Sequence, residues 1–379
     1  RLYAVNEMGE SDWSDASSVI LASAPDAPII TGVSGKANSV SIAFTAPNNN
    51  HSDISMYKVS YITKIQNTWS TTWSTPVNRT TGTIASPIIL TGLTNAQYYK
   101  VKIQAHNGLG DGPLSLESSQ VMPKAPPLAP TITGVNTIAP RSATIAFNGA
   151  FYNGSDISTY KYSYSSNNGT SWSTPIQRSS GTTGSPIAVG ELDNGKSYIF
   201  KILAVNGEGD GTLSASSSPS FPSVMPVDVP GKPTIDSIDL SGVMKYHTDI
   251  TNGSEIISYR YYIDGVLNNT ITPYASPTTT PIKVTGLIDG TPYNLSIDAL
   301  NSEGYSPISD SYSVTTKSAP GAPIITSIIA ESGGLKINFS PGITNGSPIT
   351  SYKYSVWDMI NTLTANSNIS WSATPFPPP

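Results

Sequence analysis

LTNAQYYKVKIQAHN, residues 93–107, returns twice further along the chain. It comes back as LDNGKSYIFKILAVN at 192–206 and as LIDGTPYNLSIDALN at 287–301. Each copy has a Leu, a turn, a Tyr six residues after the Leu, and alternating residues that end in Ala-x-Asn. The alternating set is Tyr99, Val101, Ile103 and Ala105 in the first copy. It is Tyr198, Phe200, Ile202 and Ala204 in the second, and Tyr293, Leu295, Ile297 and Ala299 in the third. A period of two predicts a strand with one buried face. An internal repeat of this kind sets the architecture of the whole chain.

Outward from that strand, the rest of the repeat falls into register. Pro-rich joints recur at Ala24–Pro28, Pro126–Pro130, Val229–Pro233 and Ala319–Pro323. Pro28, Pro130, Pro233 and Pro323 are separated by 102, 103 and 90 residues. Proline removes a donor and fixes φ, so these segments are expected to resist sheet pairing and to be stiff. An aromatic residue closes the second strand at Phe44, Phe147, Tyr246 and Phe339. Ten residues later stands Ile54, Ile157, Ile256 or Ile349, and three further on Tyr57, Tyr160, Tyr259 or Tyr352. The third strand then alternates, with Tyr and Val expected inward and Lys58 and Ser60 outward. Asn167-Asn168-Gly169 and Asp264-Gly265 read as tight hairpin turns. A Pro-led strand, the opening stretch, a Gly-rich hairpin and a final strand complete the unit. About seven strands per ~100 residues, with turn signals every 8–12, predict an all-β antiparallel sandwich.

The partition expected from the repeat is 1–23, the C-terminal part of a domain, then complete domains at 24–123, 124–226 and 227–317. The N-terminal part of a further domain follows at 318–379. Ala4-Val5-Asn6 matches the end of the repeated strand, and no copy of that strand follows Trp371. The sequence is therefore expected to be truncated within a domain at both ends.

This arrangement closely resembles tandem fibronectin type III domains, which are seven-stranded, immunoglobulin-like β-sandwiches. The resemblance rests on the Pro-x-x-Pro entry, the aromatic second strand, the Gly-Ser-x-Ile-x-x-Tyr run and the Leu-to-Asn strand quoted above. It implies sheets of three and four strands. It also implies a tyrosine corner, in which the hydroxyls of Tyr99, Tyr198 and Tyr293 fix the turn before each strand. The family usually has Trp where this chain has Phe44, Phe147, Tyr246 and Phe339. The Arg-Gly-Asp tripeptide of some members is absent, so integrin recognition through it does not carry over.

Composition narrows the function. Twenty Lys+Arg against 25 Asp+Glu give a formal charge of −5, with no basic stripe to neutralise phosphates. Nucleic acid is thus not an expected partner. There are no cysteines, which excludes disulfides and thiolate chemistry. No apolar run approaches the ~20 residues of a membrane helix, so no membrane insertion is expected in this segment.

No catalytic, cofactor or metal set stands out. His51, His106 and His247 fall at unrelated positions of the repeat and read as solvated or locally bonded. Asp111 and Asp210 sit in Gly-Asp-Gly turns and read as turn residues, because a calcium loop needs several oxygen ligands. Trp73, Trp172 and Trp371 have two readings: a row of rings that stack on carbohydrate, or covers for the open edge of their own domains. Asn50, Asn153, Asn252 and Asn345 each begin an Asn-x-Ser acceptor sequence for N-glycosylation at one equivalent loop. Asn-Gly-Ser is equally a way to write the turn itself.

The reading that follows is non-enzymatic: a structural and adhesive array on a cell or virion surface, serving as spacer, fibre or surface covering. Its expected partners are other copies, other surface or capsid proteins, or a host glycan or protein. Two alternatives are a linker region of a secreted glycoside hydrolase or protease and a receptor-type array that binds through its loops.

Overall fold

The computed structural model describes residues 1–79, 84–178, 182–271, 281–357 and 363–367. Trp371 and the Phe376–Pro379 tail lie outside them. The chain divides into two compact units. One comprises Arg1–Asn136, Ala143–Val189 and Ser197–Val224; the other comprises Thr137–Ser142, Gly190–Lys196 and Met225–Pro379.

Described strands are antiparallel, and one pairing plan recurs. In the repeat at 24–123, Ile29–Lys36, Ser39–Thr45 and Ile88–Thr91 form one sheet. Ile54–Ile65 forms the second with Tyr99–Asn107, Gly110–Asp111, Thr68–Trp69 and Val77–Arg79. The same order holds for Thr131–Ala139, Ser142–Asn148 and Ile187–Val189, and for Thr234–Ile238, Val243–His247 and Ile282–Lys283. Their second sheets centre on Ile157–Ser165 with Ile199–Asn206, and on Ser258–Ile263 with Pro292–Asn301.

The quoted strand behaves as its period requires. Tyr99, Val101, Ile103 and Ala105 are all buried, and the residues between them are only partly so. Tyr198, Phe200, Ile202 and Ala204 are buried in turn, as are Leu295, Ile297 and Ala299. The aromatic end of the second strand meets the first Tyr of the third in every repeat. Ring centroids are 4.5 Å apart for Phe44–Tyr57 and Phe147–Tyr160, and 4.6 Å for Tyr246–Tyr259 and Phe339–Tyr352. The tyrosine corner forms at Thr94 N–H to the Tyr99 hydroxyl, 3.0 Å, and at Ile288 N–H to the Tyr293 hydroxyl, 3.3 Å. The expected hairpin turns have positive φ at Asn168 and Gly169 and at Asp264 and Gly265.

Two expectations are corrected. Ser60, and Ser163 at the equivalent position of the next repeat, are buried rather than solvent-facing. Each lies opposite a lysine, Lys102 or Lys201, whose ammonium reaches 4.4 Å from the ring centre of Trp73 or Trp172. A small residue between such long neighbours is shaded by them. The final path of the repeat is also no regular strand in the first two copies. Ser115, Ser118 and Val121 donate their N–H groups to Ile103, Val101 and Tyr99, a bond at every third residue. The intervening donors are satisfied by side chains: Ser115 Oγ accepts from Ile103 N–H and Ser118 Oγ from Val101 N–H, both at 3.0 Å. Ser214 and Ser217 repeat this on Ile202 and Phe200, and Ser306 and Ser309 on Ala299 and Ile297. Ser11 and Ser14 do the same for Ala4 and Leu2. The hydroxyl stands in for a backbone carbonyl that the stretched path cannot supply.

Candidate functional site

The residues that sequence singled out for glycosylation converge on the joints. Asn50, Asn153, Asn252 and Asn345 all have positive φ, between 46° and 56°. Asparagine tolerates this region because its short side chain bonds locally. Here the bond reaches the joint: Nδ2 donates to Ala24 O (2.8 Å), Pro126 O (2.8 Å), Val229 O (2.6 Å) and Ala319 O (2.6 Å) respectively. The carbonyl of the same asparagine accepts from the joint in return, from Ser23, Ala125, Asp228 and Ser318 N–H at 3.0–3.2 Å. A second backbone bond lies alongside, from Asp26, Leu128, Gly231 and Gly321 N–H to Asn48, Phe151, Ile250 and Ile343 O. The amide nitrogen that would carry a glycan is therefore engaged with the linker at all four positions.

A second asparagine closes the clamp from the other side. Asn107, Asn206 and Asn301, the last residues of the Ala-x-Asn strands, are buried. Asn107 Nδ2 points at Ser23 O (2.8 Å), Asn49 O and Ser52 O. Asn206 Nδ2 points at Ala125 O (2.9 Å), Tyr152 O and Ser155 O, and Asn301 Nδ2 at Asp228 O (2.7 Å) and Thr251 O. Their Oδ1 atoms accept from Leu109, Glu208 and Glu303 N–H and so fix the following hairpin. A buried amide with every hydrogen-bonding group occupied fixes one geometry, and its loss leaves several carbonyls unpaired. The sequence marked these asparagines only as the end of a motif.

The turn before the repeated strand completes each joint. Ala96, Gly195 and Gly290 have positive φ, and their N–H groups donate to Pro123 O (3.0 Å), Pro226 O (2.8 Å) and Thr316 O (2.9 Å). At the last of these turns Asp289 is held below the ordinary carboxylate range, chiefly by a hydrogen bond from Ser318 of the linker.

Most of the remaining candidates are paired within the protein. Asp111 accepts from Lys58 Nζ (2.7 Å) and lies 2.6 Å from His106 Nδ1; Asp210 accepts from Lys161 Nζ at 2.8 Å. His247 Nδ1 is 2.6 Å from Asp236, and His51 is exposed in its turn. Among the described residues no group of three or more His, Cys, Asp or Glu comes together to hold a metal. The rings of Trp73 and Trp172 are half-buried and carry the ammonium of Lys102 or Lys201 over one face. Each ring thus makes a cation–π contact within its own repeat.

Antiparallel sheets of this order, with tyrosine corners at Tyr99 and Tyr293, define a β-sandwich of the immunoglobulin-like class. Residues 23–121 match the family model described as Fibronectin type III domain. Among solved structures, the crystal structure of chicken CNTN1 FN1-FN3 domains is similar at 18% identity. It covers 78% of this chain and 99% of that one, with a TM-score of 0.30. Residues 23–121 are a fibronectin type III domain, and the repeats after it keep its residue pattern and strand order. The chain thus carries tandem copies of one strand plan. No described helix is long and apolar enough to cross a membrane.

Proposed function

We propose that this chain is a non-enzymatic structural and adhesive array that acts as a spacer or covering element on a cell or virion surface. The observation that carries the reading is the recurrence of one clamp. The same loop asparagine ties each linker, and the buried strand-end asparagine joins it in the first three joints. Side chains spent on tying each linker to the repeat that follows it serve a protein whose task is to carry domains in series. Units that each bury their own core, joined by such links, build a repeat array without a ligand in each unit. Its partners are other copies of the chain or other proteins of the same surface.

Antibodies raised against the purified chain test this on intact source cells or particles. Labelling of intact material at the level seen after permeabilisation is the expected result. Labelling that appears only after permeabilisation overturns the surface placement. Hydrolysis of a polysaccharide or protein substrate by the purified chain overturns the non-enzymatic assignment.

A further inference from the structure

We propose that the residue after the clamp asparagine decides whether a joint is locked or free, and that the joint at Ala24–Pro28 is a hinge. The proposal rests on the spacer reading above. In three of the four Asn-x-Ser turns the middle residue is glycine: Gly154, Gly253 and Gly346, at φ of 94°, 85° and 81°. Each lies backbone to backbone against the turn or linker that precedes it. A β-carbon on Gly154 would stand 2.6 Å from Pro123 O and 3.2 Å from Ala96 N. One on Gly253 would stand 2.6 Å from Gly195 Cα, and one on Gly346 2.8 Å from Gly290 N. No side chain fits such distances, because close-packed atoms do not interpenetrate. The missing side chain is what admits the preceding turn.

In the fourth turn that position is His51, exposed and at a φ of 61°. By equivalence with Gly154, Gly253 and Gly346, a β-carbon and imidazole at this position would fill the space that those joints leave for a neighbour's backbone. The other half of the clamp is intact there: Asn50 and Asn107 still hold Ala24 O and Ser23 O. The Ala24–Pro28 linker is therefore tied to the repeat that follows it, while the side chain of His51 stands where the other joints seat a preceding turn. A single side chain places the hinge on one side of the linker.

The full chain carrying Gly154→His copies the first joint into the second. Amide exchange at Ala96, whose N–H bonds Pro123 O at 3.0 Å, reads the lock. At least tenfold faster exchange at Ala96, with Ile103 unchanged, is the expected result. Gly154→Ala should give a smaller rise in the same direction. Unchanged exchange at Ala96 in Gly154→His, with the repeat folded, overturns the proposal. Should Gly154→His lose protection throughout the repeat, Gly253→His read at Gly195 N–H decides in its place, with the same two outcomes. The measurement is made on the isolated chain, so it stands or falls independently of where the protein is displayed.

Discussion

On the outer face of the first complete repeat, Lys58 reaches forward to Asp111 in the hairpin after the repeated strand. In the repeat at 227–317 the same strand position holds Arg260 and the same hairpin position holds Tyr305. The acid has moved onto the strand itself, as Asp298 directly opposite Arg260. The first pair is open to water, with Asp111 41% exposed; Asp298 is 1% exposed. Arg260 donates Nε to Asp298 Oδ1 at 3.0 Å and an NH2 proton to Oδ2, and lies 3.3 Å from the Tyr305 ring centre. The Tyr262 hydroxyl adds a bond to Asp298 Oδ2 at 2.9 Å. One arrangement is a surface ion pair, worth little; the other is a bidentate, stacked pair whose acid depends on its partners. The two repeats share an inner face, and they differ in what it costs to disturb the outer one.

Removal of the two acids should break the comparison most sharply. Asp298→Ala leaves Arg260 and the Tyr262 hydroxyl without their acceptor. Arg260 keeps an exit to water, so the expected loss is about 2–4 kcal/mol. Asp111→Ala should cost under ~1 kcal/mol. Urea denaturation of the two variants checks this; equal losses would mean that the burial of Asp298 carries no energetic weight.

Alkaline pH should separate the repeats next. Burial pushes the Tyr246 hydroxyl up to about 12, with the neighbouring Tyr259 adding to the shift. The unfolded chain titrates near the ordinary 10. The folded state thus keeps its proton where the unfolded state loses it. The associated stability is fully present below pH 10 and is lost as pH rises from 10 towards 12, up to about 3 kcal/mol. Phe44, the counterpart in the first repeat, has no proton to lose. Tyr246→Phe should therefore remove the extra alkaline loss, followed by circular dichroism across that window. An unchanged pH profile in the variant would show that Tyr246 does not carry it.

How far this was legible in the sequence follows from the range of each interaction. Period two and the Leu-to-Tyr spacing gave the strands, because alternation is local. The recurrent aromatic positions were visible too, although that the two rings meet was not. Asp298, by contrast, reads as an outward residue in SIDAL, and it is buried only because Arg260, Tyr262 and Tyr305 arrive from other strands. The Asn-x-Ser loop was visible as a recurrent feature, yet its partner carbonyl lies 23 to 27 residues back, at Ala24 for Asn50 and Pro126 for Asn153. Nothing in the local pattern states that pairing. The serines of the final path were visible only as composition. Their three-residue spacing gains meaning once the strand beside them is known to leave every second donor unpaired.

The smallest effects concern the exposed pairs of the first repeat. Trp73→Ala removes a half-buried ring and the Lys102 contact at 4.4 Å, so a loss of about 1 kcal/mol is expected. A fall in tryptophan emission should accompany it. Asp111 then supplies the finest test. Its carboxyl is held below the ordinary 3.8, chiefly by the hydrogen bond from Lys58, which outweighs desolvation, with a lesser contribution from His106. A lowered carboxylate contributes stability above its unfolded value, and that contribution is lost as pH falls below 3.8. Solvent screens the pair, so the loss should be a few tenths of a kcal/mol and should shrink further at high salt. Asp111→Asn should flatten that part of the acid denaturation curve while leaving the neutral-pH midpoint nearly unchanged. A large acid effect at Asp111 would place its pair in the same class as Arg260 and Asp298, and the contrast between the two outer faces would fall.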